Sequence, residues 1–116
     1  MSTDPNGRDT DYMSIAADVD QTALVAHLRA LQPKLRAQGV TRLAIFGSRA
    51  RGDHRPDSDL DILVEVSPSE KFSLLDLIGV CHTIEDSLGI HTNAVMRRSL
   101  KPEMAKEIRS DVVEVF

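Results

Sequence analysis

Asp59 and Asp61 are separated by one residue at the mouth of an apolar run, Ile62 to Val64. Residues two apart on a β-strand project from the same face, so both carboxylates would leave the strand side by side. Such a pair repels unless a cation lies between its members, and oxygen donors suit Mg²⁺ or Mn²⁺. Ten residues lie between Asp59 and Ser48, where an earlier apolar run, Leu43 to Phe46, stops at Gly47-Ser48. Gly47 permits close backbone approach, Ser48 offers a hydroxyl, and free N–H groups at the start of a following helix would face an anion. Arg49 and Arg51 add positive charge. Together these residues suit a nucleoside triphosphate held through its phosphates and one or two metal ions.

The elements that must carry this site are legible as strands alternating with helices. A helix begins at Asp18 or Asp20, with Asp18 and Gln21 spaced as a capping box. Leu24, Leu28, Leu31 and Leu35 form its apolar stripe, and Pro33 should kink or split it near Leu31. Thr41 to Phe46 reads as the first strand, Ser48 to Arg51 as a short helix and Asp53 to Ser58 as a loop. Asp59 to Val66 is the second strand. A long helix fits Ser69 to Leu88, with Leu74, Leu77, Ile78, Cys81, Ile84 and Leu88 along one side. His91 to Met96 is a third strand, Pro102 opens a last helix, and Asp111 to Phe116 is an edge strand or docked tail. The expected fold class is α/β, a small mixed sheet with helices mainly on one face. Residues 1–17 read as a flexible leader and 18–116 as one domain.

Composition narrows the partners. One Tyr, three Phe and no Trp leave few platforms for stacking bases. The net charge of −4 gives long nucleic acid no general attraction, so strong autonomous nucleic-acid binding is not expected and a basic protein surface suits it better. The single cysteine, Cys81, excludes an intrachain disulfide and a thiolate metal cluster. No apolar stretch suits a membrane span and residues 1–20 lack the order of a secretory signal, so the expected compartment is the cytoplasm. So small a domain has little scaffold behind a cleft, and a partner or second copy is expected to complete it.

Gly47-Ser48, ten residues, then Asp59-Leu60-Asp61 resembles the signature of the nucleotidyltransferase superfamily that includes DNA polymerase beta. The fuller GSRARG and SDLDILV segments in so short a chain resemble its minimal, MntA-type antitoxin group, from about Val40 to the C-terminus. The resemblance implies a polymerase-beta-like core and a metal-dependent protein adenylyltransferase. Such an enzyme moves AMP from ATP to a tyrosine of a HEPN-family ribonuclease toxin. It also implies that Asp59 and Asp61 bind Mg²⁺ or Mn²⁺ and are catalytic, while Gly47, Ser48, Arg49 and Arg51 hold the nucleotide.

One position departs from that family. A third carboxylate is expected in the next strand, and Asn93 stands at the matching place, a candidate metal ligand through its amide oxygen. A neutral amide cannot act as a carboxylate base. His91, two residues earlier, is a possible proton acceptor. Two readings follow: an AMP-transferring antitoxin, or a catalytically weakened antitoxin that neutralises its partner by binding alone.

Overall fold

The protein is described by a computed structural model over residues 19–69 and 71–116. The expected leader and the Asp18 cap lie outside the described residues. Helix α1, Gln21–Ala30, opens where Asp20 accepts the Ala23 N–H at 2.8 Å, a cap contributing about 1 kcal/mol. Pro33 divides the leucine-bearing segment as expected: Leu31 is the joint, and Pro33 sits in the first turn of α2, Gln32–Ala37, where its missing N–H costs nothing.

The chain then runs through β1 (Val40–Phe46), α3 (Ser48–Arg51), β2 (Leu60–Val66), α4 (Leu74–Leu88), β3 (Thr92–Met96), a 3₁₀ turn (Arg97–Ser99), α5 (Pro102–Ile108) and β4 (Val113–Glu114). The sheet has the order β3-β2-β1-β4. β1 is antiparallel to both β2 and β4, whereas β2 and β3 are parallel. A parallel pair needs a crossover, and α4 supplies it. The mixed α/β sheet flanked by helices expected from the sequence is thus present, in the arrangement of a polymerase-beta-like nucleotidyltransferase core.

Strand alternation distributes the core between two unequal faces. Leu43, Ile45, Ile62 and Val64 point toward the cluster that includes Leu24, Leu28, Leu35, Val80, Ile84 and Leu88 of the helices. Ala44, Phe46 and Leu63 point the other way, where Ile108 of α5 is the buried helical contribution. Full burial of each such Leu or Ile contributes about 1.5–3 kcal/mol, so most of the stabilisation lies on the α1, α2 and α4 side. Asp61 shares its parity with Leu63 and therefore emerges on the thinly covered face.

Two expectations about α4 need correction. It begins at Leu74 rather than Ser69, because Ser73 and Asp76 form a reciprocal capping box that closes its first turn. Its core face is also displaced: Val80, Ile84 and Leu88 are buried, whereas Leu74 is 71% exposed and Ile78 42% exposed. Cys81, on that stripe, is half-buried. The helix packs against the sheet along one flank only, and the stripe chosen from spacing lies partly over the open edge beside β3. Among the described residues, no helix is long and apolar enough to cross a membrane.

Candidate active site

Antiparallel pairing sets Asp61 directly opposite Phe46, the last residue of β1. The turn at Gly47 consequently begins beside the Asp61 carboxylate. Gly47 has φ 77° and ψ −159°, a combination open essentially to glycine alone. A Cβ built there would lie 2.5 Å from Asp61 Oδ2. Glycine was expected here for approach to a phosphate; the neighbour it admits within the protein is the carboxylate itself. Beyond it, the Ala50 and Arg51 N–H groups bond to the Gly47 carbonyl at 3.1 and 3.0 Å, and those of Gly52 and Asp53 to the Ser48 carbonyl at 2.9 and 3.2 Å. Ser48 thus opens the short helix as expected.

Parallel pairing on the other side sets Asp61 opposite Asn93 in β3. The Asn93 amide donates to Asp59 Oδ2 at 3.2 Å. Asp59, Asp61 and Asn93 are therefore gathered at one end of the sheet, adjoining the Gly47-Ser48 turn. Burial raises the Asp61 pKa above the ordinary carboxylate value; the Asn93 hydrogen bond pulls it back, the Asp59 charge adds to the rise, and the Arg51 charge opposes it. Both a buried carboxylate and its repulsive neighbour favour a bound cation.

The two arginines have unlike fates. Arg49, expected at the phosphates, is fully buried: its Nε donates to the Ser58 carbonyl at 2.9 Å and its Nη2 to that of Pro56 at 3.3 Å. A buried guanidinium needs several acceptors, and two carbonyls of the 53–59 loop are among them. Arg49 therefore pins the loop that delivers Asp59. Arg51 is half-exposed and pairs with Asp53 at 3.1 Å and Asp111 at 3.0 Å. The hydrogen bonds it donates to Asp53, then Asp111, raise its pKa. Its charge also reaches Asp61.

Other contacts escaped sequence reasoning. Gln21 donates from Nε2 to the Ala50 carbonyl at 2.8 Å, fastening α1 to the turn helix. His91 Nδ1 lies 2.9 Å from Glu85 Oε2, and the Thr92 N–H donates to that same oxygen at 2.9 Å. Neither motif nor periodicity signals these contacts, because each joins elements remote in their local patterns.

Among the described residues, no group of three or more His, Cys, Asp or Glu converges on a metal position. The Asp59 and Asp61 carboxylates with the Asn93 amide oxygen are oxygen donors that would suit one hard divalent ion. To ligate, Asn93 must turn its amide so that Oδ1 replaces the nitrogen now facing Asp59. A second ion would lack its third carboxylate.

A family model for the nucleotidyltransferase domain matches residues 27–115. Protein adenylyltransferase MntA of Thermococcus cleftensis is 38% identical over 95 residues, covering 82% of this chain and 91% of that one. A solved structure of a candidate minimal nucleotidyltransferase shares 31% identity at a TM-score of 0.68, covering 83% of this chain and 96% of that one. The fold is also similar to a chain from the complex of the tri-AMPylated Shewanella oneidensis HEPN toxin with MNT antitoxin, at a TM-score of 0.59 and 15% identity over 83% and 71% of the two chains. With its turn, paired carboxylates and sheet order, the chain belongs to the minimal, MntA-like nucleotidyltransferase family of the polymerase-beta superfamily.

Proposed function

We propose that this nucleotidyltransferase-domain protein is an antitoxin that neutralises a HEPN-type toxin chiefly by binding it, with a nucleotide-transfer site weakened at one position. The observation that carries this reading is Asn93, in register with Asp61 and donating to Asp59, where the family resemblance implies a third carboxylate. In nucleotidyl transfer a hydroxyl attacks the α-phosphorus of ATP and pyrophosphate leaves. Metal, when bound, neutralises charge on the phosphoryl oxygens and lowers the pKa of the attacking hydroxyl. Asp59 and Asp61 would hold one ion, while the Gly47-Ser48 turn and Arg51 would align the outer phosphates. Asn93 supplies neither the negative charge for a second ion nor an acceptor for the hydroxyl proton. Binding of the toxin needs none of this chemistry.

A second reading, slow AMP transfer to a toxin tyrosine, is favoured by retention of both aspartates against the Gly47 turn and by the name of the 38% identical relative. One experiment separates them. The full chain, a HEPN-type toxin, labelled ATP and Mg²⁺ or Mn²⁺ are combined, and toxin labelling and residual ribonuclease activity are measured. Under the binding reading, Asp59→Ala with Asp61→Ala neutralises as well as wild type, and Asn93→Asp labels the toxin at least tenfold more. Rapid labelling by wild type, with neutralisation lost and binding kept in the double variant, overturns it in favour of transfer.

A further inference from the structure

β3 carries Asn93 to the site, yet it is the outermost strand of its sheet, and among the described residues β2 is its one strand neighbour. The His91 carbonyl accepts the Leu60 N–H at 2.8 Å. That bond starts a parallel ladder in which every second residue of β3 bonds to β2 and the residues between face outward. Thr92 and Ala94 therefore direct their N–H groups to the open side, and both meet acceptors on α4. The N–H of buried Thr92 donates to Glu85 Oε2 at 2.9 Å, and that of Ala94 to the Cys81 thiol. Four residues of helix rise about 6 Å and two of strand about 6.6 Å, so one turn of α4 keeps step with the edge. Glu85 Oε2 also lies 2.9 Å from His91 Nδ1, and the Glu85 carbonyl takes the Gly89 N–H at 2.7 Å where α4 ends. One residue thus ties together the helix end, the connection and the first residue of β3.

We infer that Glu85 is a positioning residue for the ion-binding end of the site. Its carboxylate stands in for an outer strand and fixes the start of β3, which holds Asn93 in register with Asp61 and within hydrogen-bond reach of Asp59. The inference rests on the reading of Asp59, Asp61 and Asn93 as donors to one divalent ion. Thr92 adjoins Asn93, so a strand start that loses its acceptor on the open side carries the amide out of place; partners behind the ligands orient them in this way at metal sites generally. Glu85 could instead act at a distance, its charge drawing a cation toward the site. The two modes part on substitution. A glutamine amide oxygen accepts the Thr92 N–H but carries no charge, whereas aspartate keeps the charge and is one methylene too short to reach.

The test titrates the full-length chain with Mn²⁺ alone, read from the free-ion electron paramagnetic resonance signal, and follows amide hydrogen exchange at Thr92 in the metal-free protein. Melting curves check that each variant is folded. The expected result is Mn²⁺ affinity within about twofold of wild type for Glu85→Gln and about tenfold weaker for Glu85→Asp, with Thr92 exchanging faster in Glu85→Asp alone. In an Asn93→Ala background, Glu85→Asp should weaken binding by less than about twofold further, because the group it positions is gone. Equal affinity in wild type and both Glu85 variants overturns the positioning role and leaves the ion site intact. A loss in Glu85→Gln assigns the effect to charge and overturns it too, as does an undiminished loss from Glu85→Asp when Asn93 is absent. Wild type that binds no Mn²⁺, or binds it as tightly after Asp59→Ala with Asp61→Ala, removes the ion site and the inference with it.

Discussion

Replacing Gly47 with alanine asks whether the phosphate turn and the paired carboxylates are one mechanical unit. Two separable costs can be worked out. Backbone at φ 77°, ψ −159° is nearly closed to residues with a Cβ, and holding one there costs about 1–3 kcal/mol. The new methyl would also stand 2.5 Å from Asp61 Oδ2, and turning that carboxylate off its rotamer costs about 1 kcal/mol. The sum is about 2–4 kcal/mol, which for a domain of this size lowers Tm by on the order of 10 °C or more. Circular-dichroism melts of Gly47→Ala, Asp61→Ala and the double variant complete a cycle. Because the clash is with the carboxylate oxygen, and Asp61 Cβ lies at an ordinary 3.5 Å, Asp61→Ala should recover about 1 kcal/mol of the glycine substitution's cost. A Gly47→Ala cost that is the same in both backgrounds would refute the contact, and a cost below about 0.5 kcal/mol would refute the backbone strain as well.

Asp61→Asn should stabilise the metal-free protein at neutral pH. A carboxyl whose folded pKa is raised contributes stability that is full below its unfolded value of about 4 and lost as pH rises through the higher folded value. Urea titrations should therefore show wild type losing stability across that window and Asp61→Asn remaining flatter; the opposite slope difference would contradict the burial of Asp61. Added Mg²⁺ should raise Tm for wild type but not for Asp59→Ala/Asp61→Ala, read in the same melts. Arg49→Ala should cost about 3 kcal/mol or more, since it empties a fully buried site and removes its charged hydrogen bonds to the Ser58 and Pro56 carbonyls, whereas Arg51→Ala should leave Tm nearly unchanged and weaken ATP binding in a fluorescence titration. Cys81, whose thiol pKa is raised first by burial and then by Glu85, should alkylate more slowly than a free thiol.

What could be read from the residues themselves, and what could not, divides along a physical line. Asp59, Asp61 and the Gly47-Ser48 turn were recoverable because a strand's two-residue period aligns the carboxylates and a short loop brings antiparallel neighbours together. The position of Asn93 beside Asp61 depends on α4 returning the chain parallel to β2, a pairing across 32 residues that no local pattern encodes; only the family resemblance singled it out. Arg49 and Arg51 look equivalent in the string GSRARG, yet on a helix of one turn they diverge by some 200°. That rotation sends Arg49 into the carbonyls of the loop and Arg51 toward Asp53 and Asp111. Charge type alone therefore could not separate the two. The same geometry explains α4, where spacing identified an apolar helix but could not say which flank the sheet covers.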